Sequence, residues 1–195
     1  MTPASAVNIR CAPFAHSTAT GVLDSAVAQA TLHWMESDAP WALRIADFYE
    51  QWELHLNRGN VPKPLEDLLD PGHVDNLARQ MLNPIVESEL TLIEVTAHKL
   101  LAGQTIRIHN DYIENAESHR ILIQLNRGWR DEQGGLLMLF GSESSADVQR
   151  IVRPLHRSAF GFSISERSFH AVSTIVEGER YTLVYSFKQA TRTTA

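Results

Sequence analysis

Cysteine is nearly absent from this sequence, since Cys11 is the single one among 195 residues. One thiol cannot form an intramolecular disulfide, and it excludes the cysteine-rich zinc modules. A chain of this length buries enough surface to hold a core without such links. We therefore predict one soluble domain in a reducing compartment, with a cytoplasmic location.

Long apolar runs and an excess of positive charge are also missing. No run approaches the roughly 20 apolar residues of a membrane-spanning helix, so we expect no membrane partner. Lys and Arg number 17 against 23 Asp and Glu, which gives a formal net charge of −6. Because nucleic acids are bound mainly by basic side chains, we expect no nucleic-acid partner. A small molecule, an amino acid or a peptide is the expected substrate, and the sequence leaves the oligomeric state open.

Helical spacing of apolar residues dominates the N-terminal part. Residues that recur every three or four positions predict two helices. The first group is Leu23, Val27, Ala30 and Trp34, and the second is Trp41, Ile45, Phe48, Trp52 and Leu56. A third, shorter helix is predicted over residues 73–82. Residues 1–20 and 191–195 are small and polar, and we expect them to form loosely held tails.

From residue 89 onward, short apolar or alternating runs are separated by Gly, Asn and Asp. Such runs are typical of strands in an all-β sandwich or barrel. They cover residues 90–101, 104–108, 120–125, 135–140, 158–164, 170–176 and 180–187. We therefore predict a mainly β protein with N-terminal helices, in which a helical region over 1–88 packs on a β core over 89–190, followed by a tail over 191–195.

Two His-x-Asp triplets occur, His73-Val74-Asp75 and His109-Asn110-Asp111. Side chains at positions i and i+2 diverge in a helix, whereas in a strand they point to the same side. The first triplet lies at the start of a predicted helix, so Asp75 is interpreted as a first-turn acid. The second closes a predicted strand, which makes His109 and Asp111 suitable metal ligands.

Two protein ligands are too few to hold a first-row metal in a defined geometry, so a further histidine is needed. Two His and one carboxylate leave three adjacent positions open on Fe(II), which suits oxygen activation. The choice lies among His98, His119, His156 and His170. His170 begins a predicted strand, and Arg180 begins the next and last one. Since a guanidinium grips a carboxylate with two hydrogen bonds, this pair suggests a dicarboxylate cosubstrate.

The order His109-x-Asp111, His170, Arg180 resembles the Fe(II)- and 2-oxoglutarate-dependent dioxygenases, and it is most similar to the prolyl-4-hydroxylase-like subgroup. Further motifs similar to that subgroup are Arg-Ile-Leu-Ile-Gln-Leu-Asn over 120–126, Trp129, Gly134-Gly135-Leu136, Pro154, Phe-Gly-Phe over 160–162 and Arg180-Tyr181. The resemblance covers about residues 90–188, roughly half of the chain.

The resemblance implies a double-stranded β-helix, or jelly roll, whose two sheets hold the metal between them. By analogy, His109, Asp111 and His170 bind Fe(II), and no catalytic residue beyond these ligands is expected. Arg180 pairs with the distal carboxylate of 2-oxoglutarate, and Thr182 is a further hydroxyl donor on the same strand face. The implied reaction uses O2 to hydroxylate an unactivated C–H bond and releases succinate and CO2.

The strand over 97–101 lacks the tyrosine that family members often carry as a second partner for 2-oxoglutarate. On the substrate side, Asn110, Tyr112 and Arg120 lie near the ligand strand and are possible contacts. Two alternatives stay open. One is a cupin-like metal dioxygenase or isomerase that does not use 2-oxoglutarate, in which Arg180 forms a structural ion pair. The other is a non-catalytic, metal-binding jelly roll.

Overall fold

The computed structural model describes residues 6–86 and 88–190, and it is mainly β. The strands are β1 (Asn8–Arg10), β2 (His16–Thr20), β3 (Ala42–Ala46), β4 (Tyr49–His55), β5 (Leu90–Leu101), β6 (Ile106–His109), β7 (His119–Gln124), β8 (Leu137–Phe140), β9 (Val148–Val152), β10 (Ser158–Ser163), β11 (His170–Val172) and β12 (Glu179–Gln189). The helices are α1 (Ser25–Ser37) and α2 (Pro71–Met81), with 3-10 turns at Lys63–Leu69 and Asp131–Gln133. No described helix is long and apolar enough to cross a bilayer.

The strands form one antiparallel sheet in the order β1-β2-β10-β7-β12-β5-β4-β6-β11-β8-β9, and β3 pairs with β4. The sheet curls, because side chains of β5, β7 and β12 line the same cavity as side chains of β6, β8 and β11. We call these two groups of strands the first and the second wall. A curled antiparallel sheet of this kind is consistent with the predicted jelly-roll core.

The long strand β12 shows how the sheet separates a core from a cavity. Successive side chains of a strand point to opposite faces. Its outer side chains, Tyr181, Leu183, Tyr185 and Phe187, belong to a large apolar core shared with the two helices. Its inner side chains, Arg180, Thr182, Val184 and Ser186, line the cavity. The helices therefore fix the outer face of the first wall and leave its inner face available for a ligand.

Both helices begin at an aspartate that caps free backbone N–H groups. The Asp24 side chain accepts a hydrogen bond from the N–H of Ala26 at 2.8 Å, and Asp70 accepts from Gly72 at 2.9 Å. Pro71 occupies the first position of α2, where it has no N–H to leave unpaired. The first and the third predicted helices are thus confirmed, with ends that differ by a few residues.

The predicted helix over residues 41–56 is wrong, because this segment forms the hairpin β3–β4. Its apolar residues do not share one buried face, since Leu43 and Ile45 are 44% and 74% exposed. Instead, β4 gains a ladder of hydrogen bonds with β5, and Trp52 lies opposite Lys99. Aromatic residues such as Trp52 generally favour strands when a neighbouring strand is present. The N-terminal half is therefore not wholly helical.

The N-terminal segment also differs from the predicted loose tail. Strand β2 pairs with β10 inside the sheet, and both His16 and Ser17 are fully buried. The Ser17 hydroxyl donates to the carbonyl of Met81 at 2.5 Å, which ties this strand to the end of α2. Residues 1–5 and 191–195 lie outside the described residues. The boundary at 88/89 stays a prediction, and strands from both sides of it pair with each other.

The predicted strands of the β core are all present. The strand over 90–101 has the bounds that its sequence predicts, and the other predicted strands differ at their ends. Strand β9 lies where no strand is predicted; it pairs with β8 at the margin of the second wall. A second apolar core, which includes Leu100, Leu137, Phe160 and Val172, joins side chains from both walls.

Candidate metal centre

Three side chains that could bind a metal meet at one point of the curled sheet. Nε2 of His170 lies 3.2 Å from Oδ2 of Asp111, and Nε2 of His109 lies 3.4 Å from Oδ1. Strands β6 and β11 pair so that His170 stands opposite His109, with ring centroids 4.2 Å apart. Within the described residues, this is the one group of three His, Cys, Asp or Glu ligand atoms that lie within 4.8 Å of one another.

Asp111 reaches this point through a turn and not along a strand. Our argument from a shared strand face is wrong for this residue, because β6 ends at His109. Asp111 has a φ of 59°, a left-handed conformation that Asp and Asn adopt more readily than most residues. The Asn110 side chain stabilises the turn, since its oxygen accepts from the N–H of Tyr112 at 3.0 Å and its amide donates to Glu166 O at 3.2 Å.

Both imidazoles are oriented by backbone carbonyls. Nδ1 of His109 donates to Arg107 O at 2.8 Å, and Nδ1 of His170 donates to Ser168 O at 2.7 Å. A carbonyl can only accept, so Nδ1 carries the proton and Nε2 keeps the lone pair that a metal needs. Burial lowers the pKa of His170, which favours this neutral form. The ring of Phe48, at the tip of the β3–β4 hairpin, stacks on His109 with centroids 4.4 Å apart.

Arg120 holds the carboxylate of the centre in its ionised form. Its Nη1 donates to Oδ2 of Asp111 at 2.7 Å, while Nε and Nη2 donate to Glu117 at 2.9 and 2.5 Å. Burial alone would raise the pKa of Asp111, but the charge of Arg120 opposes this effect, and the pKa of Asp111 lies well below its usual range. A carboxylate that stays ionised is ready to bind a cation.

A cavity of about 800 Å³ extends from the triad between the two walls. Arg180 faces it and is 4% exposed. Nη1 of Arg180 donates to the Thr182 hydroxyl at 3.0 Å, but its Nε is buried without a partner, and no carboxylate among the described residues forms a salt bridge with it. Burial lowers the pKa of Arg180 to about 10. A buried guanidinium without a counter-ion is costly, so the cavity fits an anionic ligand.

A polar network behind Arg180 keeps it in this position. The Thr182 hydroxyl accepts from Arg180 and donates to Oε1 of Gln124 at 3.0 Å. Asn126 donates to the carbonyl of Pro154 at 3.0 Å and accepts from the N–H of Tyr181 at 2.7 Å. The hydroxyl of Thr182 is thus already used as a donor within the protein. Its role toward a cosubstrate stays a prediction.

A second cavity, of about 730 Å³, opens on the other side of the triad. His109 and Asp111 line both cavities. The other residues that line the second cavity include Tyr112, Ile113, Glu143 and Phe169, which are mostly apolar, together with Asn110 and Arg120. The centre can therefore be approached from two cavities, one that contains the buried Arg180 and one that is lined mostly by loop residues.

The amino-acid sequence of the β core matches a known family. Residues 95–188 match the model described as the 2OG-Fe(II) oxygenase superfamily. The predicted resemblance of the chain to this superfamily is thereby confirmed. A curated relative of this oxygenase is prolyl 3-hydroxylase sudestada1 from Drosophila melanogaster, which is 24% identical over 173 residues, or 84% of the chain and 32% of the relative. The oxygenase thus spans about a third of the length of that relative.

Solved structures of two prolyl hydroxylases share the fold of this oxygenase. A prolyl-4-hydroxylase from Pseudomonas putida is 19% identical, with a TM-score of 0.68 over 90% of this chain and 92% of that one. A prolyl hydroxylase from Trichoplax adhaerens, solved in complex with a peptide fragment of the hypoxia inducible factor oxygen degradation domain, is 16% identical. Its TM-score is 0.69 over 88% of this chain and 83% of that one. The predicted resemblance to the prolyl-4-hydroxylase-like subgroup is confirmed.

The cofactors of this oxygenase family are Fe(II), 2-oxoglutarate and O2, as the resemblance implied. The residues present fit them. Two imidazole nitrogens and one carboxylate are a donor set that Fe(II) accepts while keeping positions open, and the unpaired Arg180 fits a carboxylate at the far end of the cosubstrate. Of the other histidines considered, His98, His119 and His156 contribute no ligand atom to the triad.

Sequence reasoning missed several residues of the site. Gln124 and Asn126 stand at positions i and i+2, a spacing that would have placed both on one face of a strand. Phe48 and Gln51 were missed because the hairpin was predicted as a helix, in which Phe48 belongs to the apolar face and has no role at the site. Glu117, the second partner of Arg120, lies in the loop before β7, and nothing in its local sequence indicates this contact.

Proposed function

We propose that this oxygenase hydroxylates a prolyl residue within a peptide or protein segment, with conversion of 2-oxoglutarate to succinate and CO2. The observation that carries the proposal is the buried guanidinium of Arg180, which has no anionic partner among the described residues and faces the same cavity as the metal triad. A dicarboxylate that reaches from Arg180 to the triad would pair with the guanidinium at one end of the cavity and bind the metal at the other.

The side chains of the site have two roles: some bind the metal and the cosubstrate, and others support a ligand or exclude water. His109, Asp111 and His170 would hold Fe(II), which supplies open coordination positions and the oxidising chemistry. Arg180 fixes the orientation of 2-oxoglutarate through its distal carboxylate. Arg120 keeps Asp111 ionised, and Phe48 covers one face of His109 and shields that ligand from water.

The second cavity supports a peptide substrate. It lies against the triad on the side away from Arg180 and is lined by Tyr112, Ile113 and Phe169. Apolar and aromatic side chains of this kind suit a prolyl ring. The curated relative and both structural neighbours are named as prolyl hydroxylases, and one neighbour was solved with a peptide fragment. Asn110, Tyr112 and Arg120 stay predictions as substrate contacts.

The alternative of a cupin-like enzyme without 2-oxoglutarate assigned Arg180 to a structural ion pair. Arg180 forms no such pair within residues 6–86 and 88–190. A non-catalytic jelly roll likewise offers no reason to leave a guanidinium buried and unpaired. Arg180 therefore favours the use of 2-oxoglutarate over both alternatives.

The first experiment is an anaerobic titration of 2-oxoglutarate into Fe(II)-loaded protein. We expect a visible metal-to-ligand charge-transfer band that saturates. Iron binding without this band would contradict the use of 2-oxoglutarate and favour the cupin-like alternative. In air, proline-containing peptides are then compared with matched peptides that carry alanine instead. Succinate formation with a mass gain of one oxygen atom on the prolyl peptides is expected, and turnover of free amino acids alone would exclude a peptide substrate.

A further inference from the structure

A chain of polar side chains crosses the first wall and strand β4 next to the cavity. Nε2 of Gln51 donates to Oε1 of Glu53 at 2.8 Å and lies 3.5 Å from Nδ1 of His98. Nε2 of His98 lies 3.2 Å from the hydroxyl oxygen of Thr96. All four residues line the cavity that contains Arg180, and none of them is a metal ligand of the triad.

The direction of these hydrogen bonds follows from Glu53. A carboxylate only accepts, so the Gln51 amide must place its NH2 group toward Glu53. The same NH2 group then faces Nδ1 of His98, which makes Nδ1 an acceptor. Burial lowers the pKa of His98 to about 4, so the ring is neutral and carries its one proton on Nε2. That proton is donated to the oxygen of Thr96.

The hydroxyl of Thr96 accepts from His98 and is left with its own proton. Among the described residues, it makes no other side-chain hydrogen bond. Strand register places Thr96 opposite Val184 and His98 opposite Thr182. Thr96 is therefore a diagonal neighbour of Thr182, at a Cα distance of roughly 7–8 Å. Nη1 of Arg180 reaches Thr182, so the guanidinium and the Thr96 hydroxyl both lie near Thr182 in the same cavity.

We propose that the hydroxyl of Thr96, oriented by His98 and Gln51, is a second donor to the distal carboxylate of 2-oxoglutarate beside Arg180. This inference rests on the proposed function. It assigns a binding role to a strand that contains no tyrosine, and it makes His98 a positioning residue. Because Gln51 donates to His98 and His98 donates to Thr96, these two bonds polarise the Thr96 hydroxyl in the sense that favours an anion.

The test measures the affinity of Fe(II)-loaded protein for 2-oxoglutarate in the absence of oxygen. Calorimetry and the visible metal-to-ligand charge-transfer band both report this affinity. Thr96→Val has nearly the same shape and removes the hydroxyl. We expect it to weaken binding about tenfold, which is typical for one hydrogen bond to a charged group. Thr96→Ser keeps the hydroxyl and is expected to bind within about twofold of the parent. Thr91→Val, on the exposed part of the same strand, is the matched control.

Two further measurements separate the contact from a structural effect. With 2-oxobutyrate, which lacks the distal carboxylate, Thr96→Val is expected to bind as the parent does. His98→Leu removes the donor and is expected to weaken 2-oxoglutarate binding severalfold, whereas His98→Gln offers a replacement N–H and restores it. If Thr96→Val binds 2-oxoglutarate as tightly as the parent, or loses equal affinity for 2-oxoglutarate and 2-oxobutyrate, the proposed role of Thr96 is wrong. The proposed function is still upheld in that case, provided that the parent protein binds 2-oxoglutarate. If the parent protein binds no 2-oxoglutarate, the proposed function itself fails.

Discussion

Arg120 and Asp111 form an ion pair at the candidate metal centre, with Nη1 and Oδ2 2.7 Å apart. The same guanidinium binds Glu117 through its other two nitrogens. Arg120 is therefore fixed by one acid while it stabilises the charge of another. Asp111, which stands in a left-handed turn, is held toward His170 by this contact. Partners of this kind orient a ligand and tune its affinity for the metal.

Replacing Arg120 is expected to weaken metal binding without removing a ligand. Arg120→Gln leaves Asp111 free to turn away and raises its pKa, so we expect the affinity for Mn(II) or Fe(II) to fall roughly tenfold or more. Calorimetry under argon measures the effect. Arg127→Gln is the matched control, because Arg127 pairs with the exposed Glu36 away from the centre. Equal metal affinities in the two variants would show that Arg120 does not support Asp111.

Arg180→Met is expected to weaken 2-oxoglutarate binding while it stabilises the ligand-free protein. The substitution removes the partner of the distal carboxylate, so affinity for 2-oxoglutarate should fall at least a hundredfold, corresponding to about 3–5 kcal/mol. The ligand-free protein should become more stable by about 1 kcal/mol, because an unpaired buried charge is replaced by an apolar side chain. Urea unfolding and ligand titration measure the two effects. Near-normal binding of 2-oxoglutarate would contradict the assignment of Arg180.

His170→Ala is expected to abolish turnover and to leave the fold intact. The side chain contributes one of three ligand atoms, and its loss leaves a first-row metal with two. Circular dichroism checks the fold, and succinate release checks turnover. His33→Ala, on the exposed face of α1, is the control. Full activity of the His170 variant would assign the third ligand to another histidine.

The ligand-free protein is expected to lose stability as the pH falls from about 6.5 to about 4. Burial lowers the pKa of His119 to about 4, whereas the unfolded chain keeps the ordinary value near 6.5. Between these values the unfolded state binds more protons, so acid favours unfolding, by up to about 3 kcal/mol for this residue. Urea unfolding at pH 7 and pH 5 measures the effect, and His119→Asn should make the dependence shallower. An unchanged slope in that variant would assign the loss to other groups.

Much of the β core was predictable because its signals are local. Alternation over residues 90–101 and 180–187 identifies two strands whose inner and outer faces the structure bears out. The helix α1 was predictable for the same reason, since its apolar spacing lies within one short segment. Such patterns depend on neighbours a few positions away, so no knowledge of the fold is needed.

Other features depended on partners that are distant in the sequence. Residues 41–56 show helical spacing, but β5, some forty residues away, offers β4 a ladder of hydrogen bonds that a helix cannot use. Residues 6–20 look like a tail until β10 supplies a partner for β2. In both cases long-range pairing overrides a local preference.

By itself, the sequence determined which residues we predict to bind the metal and the cosubstrate. His109, Asp111, His170 and Arg180 were identified from residue type, order and family resemblance, and the structure brings them to one cavity. The tertiary structure alone decided how each is supported: the left-handed turn at Asp111, its contact with Arg120, and the donors that surround the cavity. The reason is physical. Residue type fixes what a side chain can bind, whereas its orientation and charge depend on neighbours that only the folded sheet brings together.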